Sequence, residues 1–227
     1  MNRVLGRYLE TDRNFYRRLL QSAIPVILQS VITTGLNLVD NIMLGQLTET
    51  ALSGSTQANQ FVMLFTYATM GISMGSSVLS SRYWGARDIP ALKKVIAIAL
   101  RFCVVMGLAF TFANVFLTRQ IMGLYFRPEA TAEIQAGVTY LRWSTACYLL
   151  MSVSVVLTNI MRSIEMSNTP LVASVCAFSI NIGANYVFIF GKFGFPELGV
   201  AGAALGTVIA RVVETSILVV CFLRNTR

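Results

Sequence analysis

The sequence predicts an all-α fold, a polytopic membrane protein of six transmembrane helices, and three observations carry that reading. Hydrophobic residues make up 55% of the 227 residues and charged ones only 12%, far from the balance of a soluble domain. The apolar residues gather in six runs, each long enough as a helix to cross roughly 30 Å of hydrocarbon. Lys and Arg, 18 against 10 Asp and Glu, fall in the polar stretches between those runs rather than along one sustained face. Membrane topology therefore explains the formal charge of +8, the lipid bilayer is the expected partner, and nucleic acid is not.

The first run, residues 23–44, reads AIPVILQSVITTGLNLVDNIML and covers roughly 33 Å as a helix. Ser30, Thr33, Asn37 and Asp40 fall on one face of it, while Val31, Ile32, Leu38, Val39 and Ile42 cover the others. A polar stripe is costly against lipid, so it belongs in a protein interior or a water-filled cavity, and Asp40 is a functional-site candidate. Residues 1–22 carry Arg3, Arg7, Arg13, Arg17 and Arg18, lack the apolar core of a signal peptide, and are expected to form a cytosolic N-terminal arm.

The second run, 52–80, is rich in small residues that let membrane helices approach closely; Gln57 and Asn59 are its larger polar side chains and candidates for a ligand cavity, as is Thr33. SRYWGARDIPALKK then forms a cytosolic loop. The third run, 95–117, holds Arg101 close enough to its cytosolic end to snorkel. Residues 118–139 are expected to form a longer outer connection, with Pro128 and Glu129 marking a helix start. The fourth helix, 140–161, opens on Tyr140, Arg142 and Trp143, which read as an interfacial anchor. The fifth, 171–190, carries Asn181 and Asn185 four residues apart on one face. GKFGFPELG is a tight outer turn, and the sixth helix, 200–223, holds Arg211 and Glu214 at the spacing of an internal pair, before a short cytosolic end at 224–227.

The excess of Lys and Arg at one set of loops puts both termini in the cytosol and residues 45–51, 118–139 and 191–199 outside, as in a multi-pass plasma-membrane protein of a bacterial inner membrane. Asp40 lies five residues before Gly45 and Asn185 six before Gly191, so both sit roughly 7 to 9 Å below the outer surface. If the first and fifth helices pack together, Asp40, Asn37, Asn181 and Asn185 meet; hydrogen bonding that merely holds helices together is the other reading of such a cluster.

Enzyme chemistry finds little footing. The chain has no histidine and one membrane aspartate, which leaves no serine–histidine pair, no HExxH and no aspartate pair. Cys103, Cys147, Cys176 and Cys221 all lie inside apolar runs, so neither a disulfide framework nor a zinc site is expected, and no cofactor is.

Several segments together resemble the multidrug and toxic compound extrusion (MATE) family: IPVILQSVITTGLNLVDNIMLGQL, SRYWGARD, PEAT followed by YLRW, MRSIEMSNTPL, and NIGANYVFIFGKFGFPELGVAGAALGTVIAR. Their order and spacing carry the resemblance over nearly the whole chain from Ile24 onward. It implies one lobe, the N-terminal one, of a two-lobe secondary antiporter that exports organic cations and other amphipathic small molecules against inward H⁺ or Na⁺. A second six-helix lobe, missing from this chain, or a second copy of it, is then the expected partner. By the same resemblance Asp40 matches the first-helix aspartate of cation coupling, Asn181 matches a fifth-helix asparagine near it, and Na⁺ at Asp40 is the one metal to consider. Thr207 is a candidate for a sixth-helix threonine of the cavity. Asn185 departs from an aspartate found in some members, Leu36 from a tyrosine, and Glu165 stands in the cytosolic turn where glycine is common.

Two rivals remain at this level. A lipid-linked precursor flippase of the same superfamily shares the lobed architecture, but its cavity should be basic, and only Arg101 and Arg211 are candidates for that. A non-transporting scaffold leaves the stripe ending at Asp40 without a purpose.

Overall fold

The computed structural model describes residues 13–225, and among these it is helical throughout, without strands. The helices are α1 (Arg13–Gly45), α2 (Glu49–Gly85), α3 (Ile89–Tyr125), α4 (Thr131–Trp143), α5 (Cys147–Ser163), α6 (Asn168–Phe190) and α7 (Val200–Asn225). Five of them, α1, α2, α3, α6 and α7, are long and apolar enough to cross a membrane, and the α4–α5 pair makes a sixth if taken as one span. The expected number of spans is therefore met, with the fourth in two pieces.

Every helix outruns the apolar run that announced it, because backbone hydrogen bonding continues wherever residues tolerate it, whether lipid or water surrounds the turn. Among the described residues α1 begins at Arg13, so residues 13–22 of the expected arm are helical, while 1–12 lie outside the described residues. α3 runs on through Tyr125, which shrinks the outer connection from the expected 118–139 to the few residues before Thr131. Local chemistry stops the helices. The Thr48 hydroxyl accepts from the amide of Ala51 at the start of α2, and the Asp88 carboxylate accepts from the amide of Ala91 at the start of α3. Gly191 closes α6 in the left-handed region at φ 62°.

The fourth span bends by 61° at residues 144–146, and the cause is side-chain competition for backbone groups. The hydroxyls of Ser144 and Thr145 both donate to the Leu141 carbonyl, at 3.2 and 3.1 Å, and buried Asn114 of α3 donates to the same carbonyl at 2.6 Å and to the Thr145 hydroxyl at 2.8 Å. With its carbonyl occupied from three sides, the turn no longer has to continue the helix. Tyr140 sits just before this bend and is buried, so it is not the interfacial anchor its neighbours Arg142 and Trp143, both exposed, made it look.

A mixed aromatic core fills the space between α2, α3 and α5: Phe65 stands edge-on to Tyr148 with ring centroids 5.2 Å apart, and Phe110 closes against both. Glycine sets the closest approaches. A Cβ on Gly54 would lie 2.5 Å from the Glu133 carbonyl oxygen and 2.9 Å from the Gly137 amide, so α2 and α4 meet backbone to backbone. Phe102, Val105, Phe112 and Phe116 of α3 face outward, an apolar surface suited to lipid. Asp40 lies where α1 packs on α6 and α6 on α7, with α4 across from α7.

Candidate cation and substrate site

Asp40 sits one turn from the end of α1, and Asn181 and Asn185 occupy consecutive turns near the end of α6; all three side chains are buried. Asn185 joins them. Its Nδ2 donates to Asp40 Oδ1 at 2.5 Å and to Asn181 Oδ1 at 3.2 Å. Asp40 Oδ2 makes no hydrogen bond to the described protein, while Asn185 Oδ1 and Asn181 Nδ2 are buried without a partner. The cluster thus presents a carboxylate oxygen and an amide oxygen to whatever neutralises it, and one amide donor besides.

Close packing by α7 holds this arrangement. A Cβ on Gly206 would collide with Asn185 Oδ1 and lie 3.1 Å from its Cγ, so only a bare backbone lets the two helices leave the amide aimed at Asp40. Tyr140 reaches the same region from α4, with its hydroxyl near the side chains of Asn59 and Thr207 and within electrostatic reach of Asp40. Sequence reasoning missed Tyr140 because an aromatic next to Arg and Trp at a helix start matches an interfacial belt.

The other expected site residues divide. Asn37 is exposed and makes no hydrogen bond among the described residues, so it does not join Asp40, although it lies one turn away on α1. The helical face is shared, but α6 covers only its edge. Thr33 is also exposed, donating to the Gln29 carbonyl at 2.9 Å, and it lines a cleft of about 20 Å³ together with Leu36, Asn181, Thr207, Arg211 and Glu214. Thr207 is half-buried and spends its proton on the Ala203 carbonyl at 3.0 Å. Gln57 and Asn59 are half-buried on α2, and Asn59 alone of the two is placed near Tyr140.

A second polar chain runs from this cleft toward the other end of the bundle. Arg211 Nη1 pairs with Glu214 Oε2 at 2.6 Å, as the spacing suggested. Ser174 donates to Glu214 Oε1 at 3.2 Å, Gln29 Nε2 donates to Ser174 at 2.8 Å, and Arg162 Nη2 donates to Gln29 Oε1 at 2.6 Å. Four helices, α7, α6, α1 and α5, are tied by one run of hydrogen bonds in an interior where each such bond is strong. Gln29 and Ser174 were legible only as isolated polar residues in apolar runs, and nothing in sequence spacing pairs residues 145 positions apart. A groove of about 1280 Å³, open to solvent, lies away from Asp40 at the other end of the bundle, with Arg13, Arg17 and Glu165 in its lining.

A family model, MatE, matches residues 25–187, the greater part of the chain. The chain belongs to the MatE family. Among MatE relatives, the "Probable multidrug resistance protein NorM" of Thermotoga maritima is 27% identical over 203 residues, 89% of this chain and 43% of that protein. The "Probable multidrug resistance protein YoeA" of Bacillus subtilis is 28% identical over 205 residues, 90% of this chain and 44% of its own length. Solved structures carry the same fold. A MOP superfamily transporter from Pyrococcus furiosus superposes with a TM-score of 0.82 at 20% identity, over 92% of this chain and 45% of that one. A MATE crystallised in complex with MaL6 gives a TM-score of 0.86 at 17% identity, over 97% and 49% respectively. The chain spans about half the length of the curated relatives it matches.

Proposed function

We propose that the chain is the N-terminal half of a secondary antiporter that exports organic cations and other amphipathic compounds, coupled to inward H⁺ or Na⁺ at Asp40. The observation that supports this most is the carboxylate itself: buried, held through one oxygen by Asn185, with Oδ2 left to take a proton or a hard cation. Asn185 Oδ1, buried without a partner, is the one further oxygen of the cluster left free to turn toward an ion at Asp40. Neutralising Asp40 weakens its attraction for the Asn185 amide, and with it the tie between α1 and α6. That is the differential interaction a conformational exchange requires, since a ligand with equal affinity for both states shifts nothing. The proposed orientation follows the charge bias, with the Asp40 end of the bundle outside and both termini cytosolic, in a bacterial inner membrane.

Everted membrane vesicles from cells expressing the gene that encodes this chain provide the test. Asp40→Asn keeps the shape and removes the charge, so gradient-driven uptake of a fluorescent organic cation should vanish while the amount of inserted protein stays the same. Driving transport with a pH gradient in Na⁺-free buffer, then with Na⁺ at uniform pH, separates the two ions. Uptake by Asp40→Asn at the wild-type rate, with unchanged dependence on the gradient, would make Asp40 a structural residue. For the orientation, a cysteine placed at Glu49 should react with an impermeant reagent in intact cells; reaction only after permeabilisation reverses the topology.

A further inference from the structure

The bundle carries a second polar cleft, of about 280 Å³, lined by Gln29, Ser30, Thr33, Thr34 and Arg162 between α1 and α5. Gln29 and Asp40 are eleven positions apart on α1, so this cleft lies roughly 16 Å from the coupling carboxylate. Arg162 is half-buried in its wall, and among the described residues no carboxylate pairs with it: the ion pair there is Arg211 with Glu214. Its guanidinium is nonetheless held in place. Nη2 donates to Gln29 Oε1 at 2.6 Å, and Gln29 is itself fixed through Ser174 to Glu214. Nε is enclosed without a partner, whereas Nη1 is neither enclosed nor hydrogen-bonded to the protein. A cation positioned by a neutral amide, with one fork arm directed to an open polar cleft, is the arrangement that receives an oxyanion. The hydroxyls of Ser30, Thr33 and Thr34 line the opposite side, each now donating to a carbonyl one turn back and each able to rotate.

We propose that this cleft is an oxyanion subsite, in which Arg162 takes a carboxylate or phosphate group of a small amphipathic molecule or of a lipid headgroup. Compounds carrying both charges then have a place for the negative one, well apart from Asp40. The subsite needs no ion gradient, so its test is independent of coupling at Asp40.

The purified chain in maltoside micelles, which contain no phosphate, is titrated with rhodamine B, a fluorescent zwitterion with a free carboxylate, and with its ethyl ester, by fluorescence anisotropy. The acid should bind about tenfold more tightly than the ester. Arg162→Gln should erase that preference, and Arg162→Lys should retain part of it. Inorganic phosphate should displace the acid and not the ester, which reads the same site in the unmutated chain should Arg162→Gln fail to fold. Added phosphatidylglycerol distinguishes the sources: displacement of the acid from wild type at lipid levels that leave the ester bound assigns a headgroup, and no displacement assigns the soluble compound. Equal binding of acid and ester by wild type, or a preference that survives in Arg162→Gln, overturns the proposal.

Discussion

Replacing Gly206 by alanine tests the geometry of the coupling cluster with a single methyl group. The added Cβ would collide with Asn185 Oδ1 and lie 3.1 Å from Asn185 Cγ and 3.2 Å from its backbone nitrogen. The backbone nitrogen cannot yield without moving α6, so the side chain must swing away and surrender its 2.5 Å bond to Asp40. Overpacking costs about 1–3 kcal/mol, and a hydrogen bond to a charged group contributes about 1.5–3 kcal/mol, so a loss of at least about 2.5 kcal/mol is expected. Gly183 is the internal control. It lies on α6 itself, and a Cβ there meets nothing within 4 Å. Gly183→Ala should therefore be neutral or stabilise by up to about 1 kcal/mol through helix propensity. Unfolding of the purified chain by SDS, followed through the fluorescence of Trp84 and Trp143, measures both. If Gly206→Ala proves as stable as Gly183→Ala, the α6–α7 contact does not position Asn185, and the argument from close approach fails.

Three further outcomes are expected. Glu214→Gln leaves Arg211 without its counter-charge and should cost about 2 kcal/mol in the same assay, the usual 3–5 kcal/mol of a broken buried pair being reduced because a quarter of the Arg211 side chain is exposed; replacing both residues by leucine should recover most of it. Asn114→Leu releases the Leu141 carbonyl and the Thr145 hydroxyl at the bend, with an expected loss of about 1–3 kcal/mol and altered cysteine-crosslinking distances between α3 and α4. Glu165 adopts φ 66°, a left-handed conformation that costs a residue with a Cβ about 1–2 kcal/mol, so Glu165→Gly should raise stability by up to about 1 kcal/mol after the greater chain entropy of glycine is deducted. A lowered midpoint for Glu165→Gly would mean that the Glu165 side chain contributes more than its backbone loses.

Glu165 also shows how far residue identity alone reaches. The family resemblance marked it as standing where glycine is common, yet only the backbone angle shows that the difference is one of conformation. The sequence by itself determined the membrane class, the six spans and their order, because hydrocarbon imposes its length and polarity on every apolar run in the same way. It also determined Asp40 as the costly residue, and the i, i+4 relation of Asn181 to Asn185, since both follow from composition and helix periodicity along one segment. Tertiary structure decided what those residues meet. Asn37 shares the polar stripe of α1 with Asp40 but falls outside the cover of α6, whereas Tyr140, which resembled an anchor, is carried inward by the bend that Asn114 of another helix helps make. The chain from Arg211 through Glu214, Ser174 and Gln29 to Arg162 spans four helices. Helical periodicity says which face a residue occupies, but which face of another helix lies opposite depends on packing between segments far apart in the chain, and no local pattern encodes that distance.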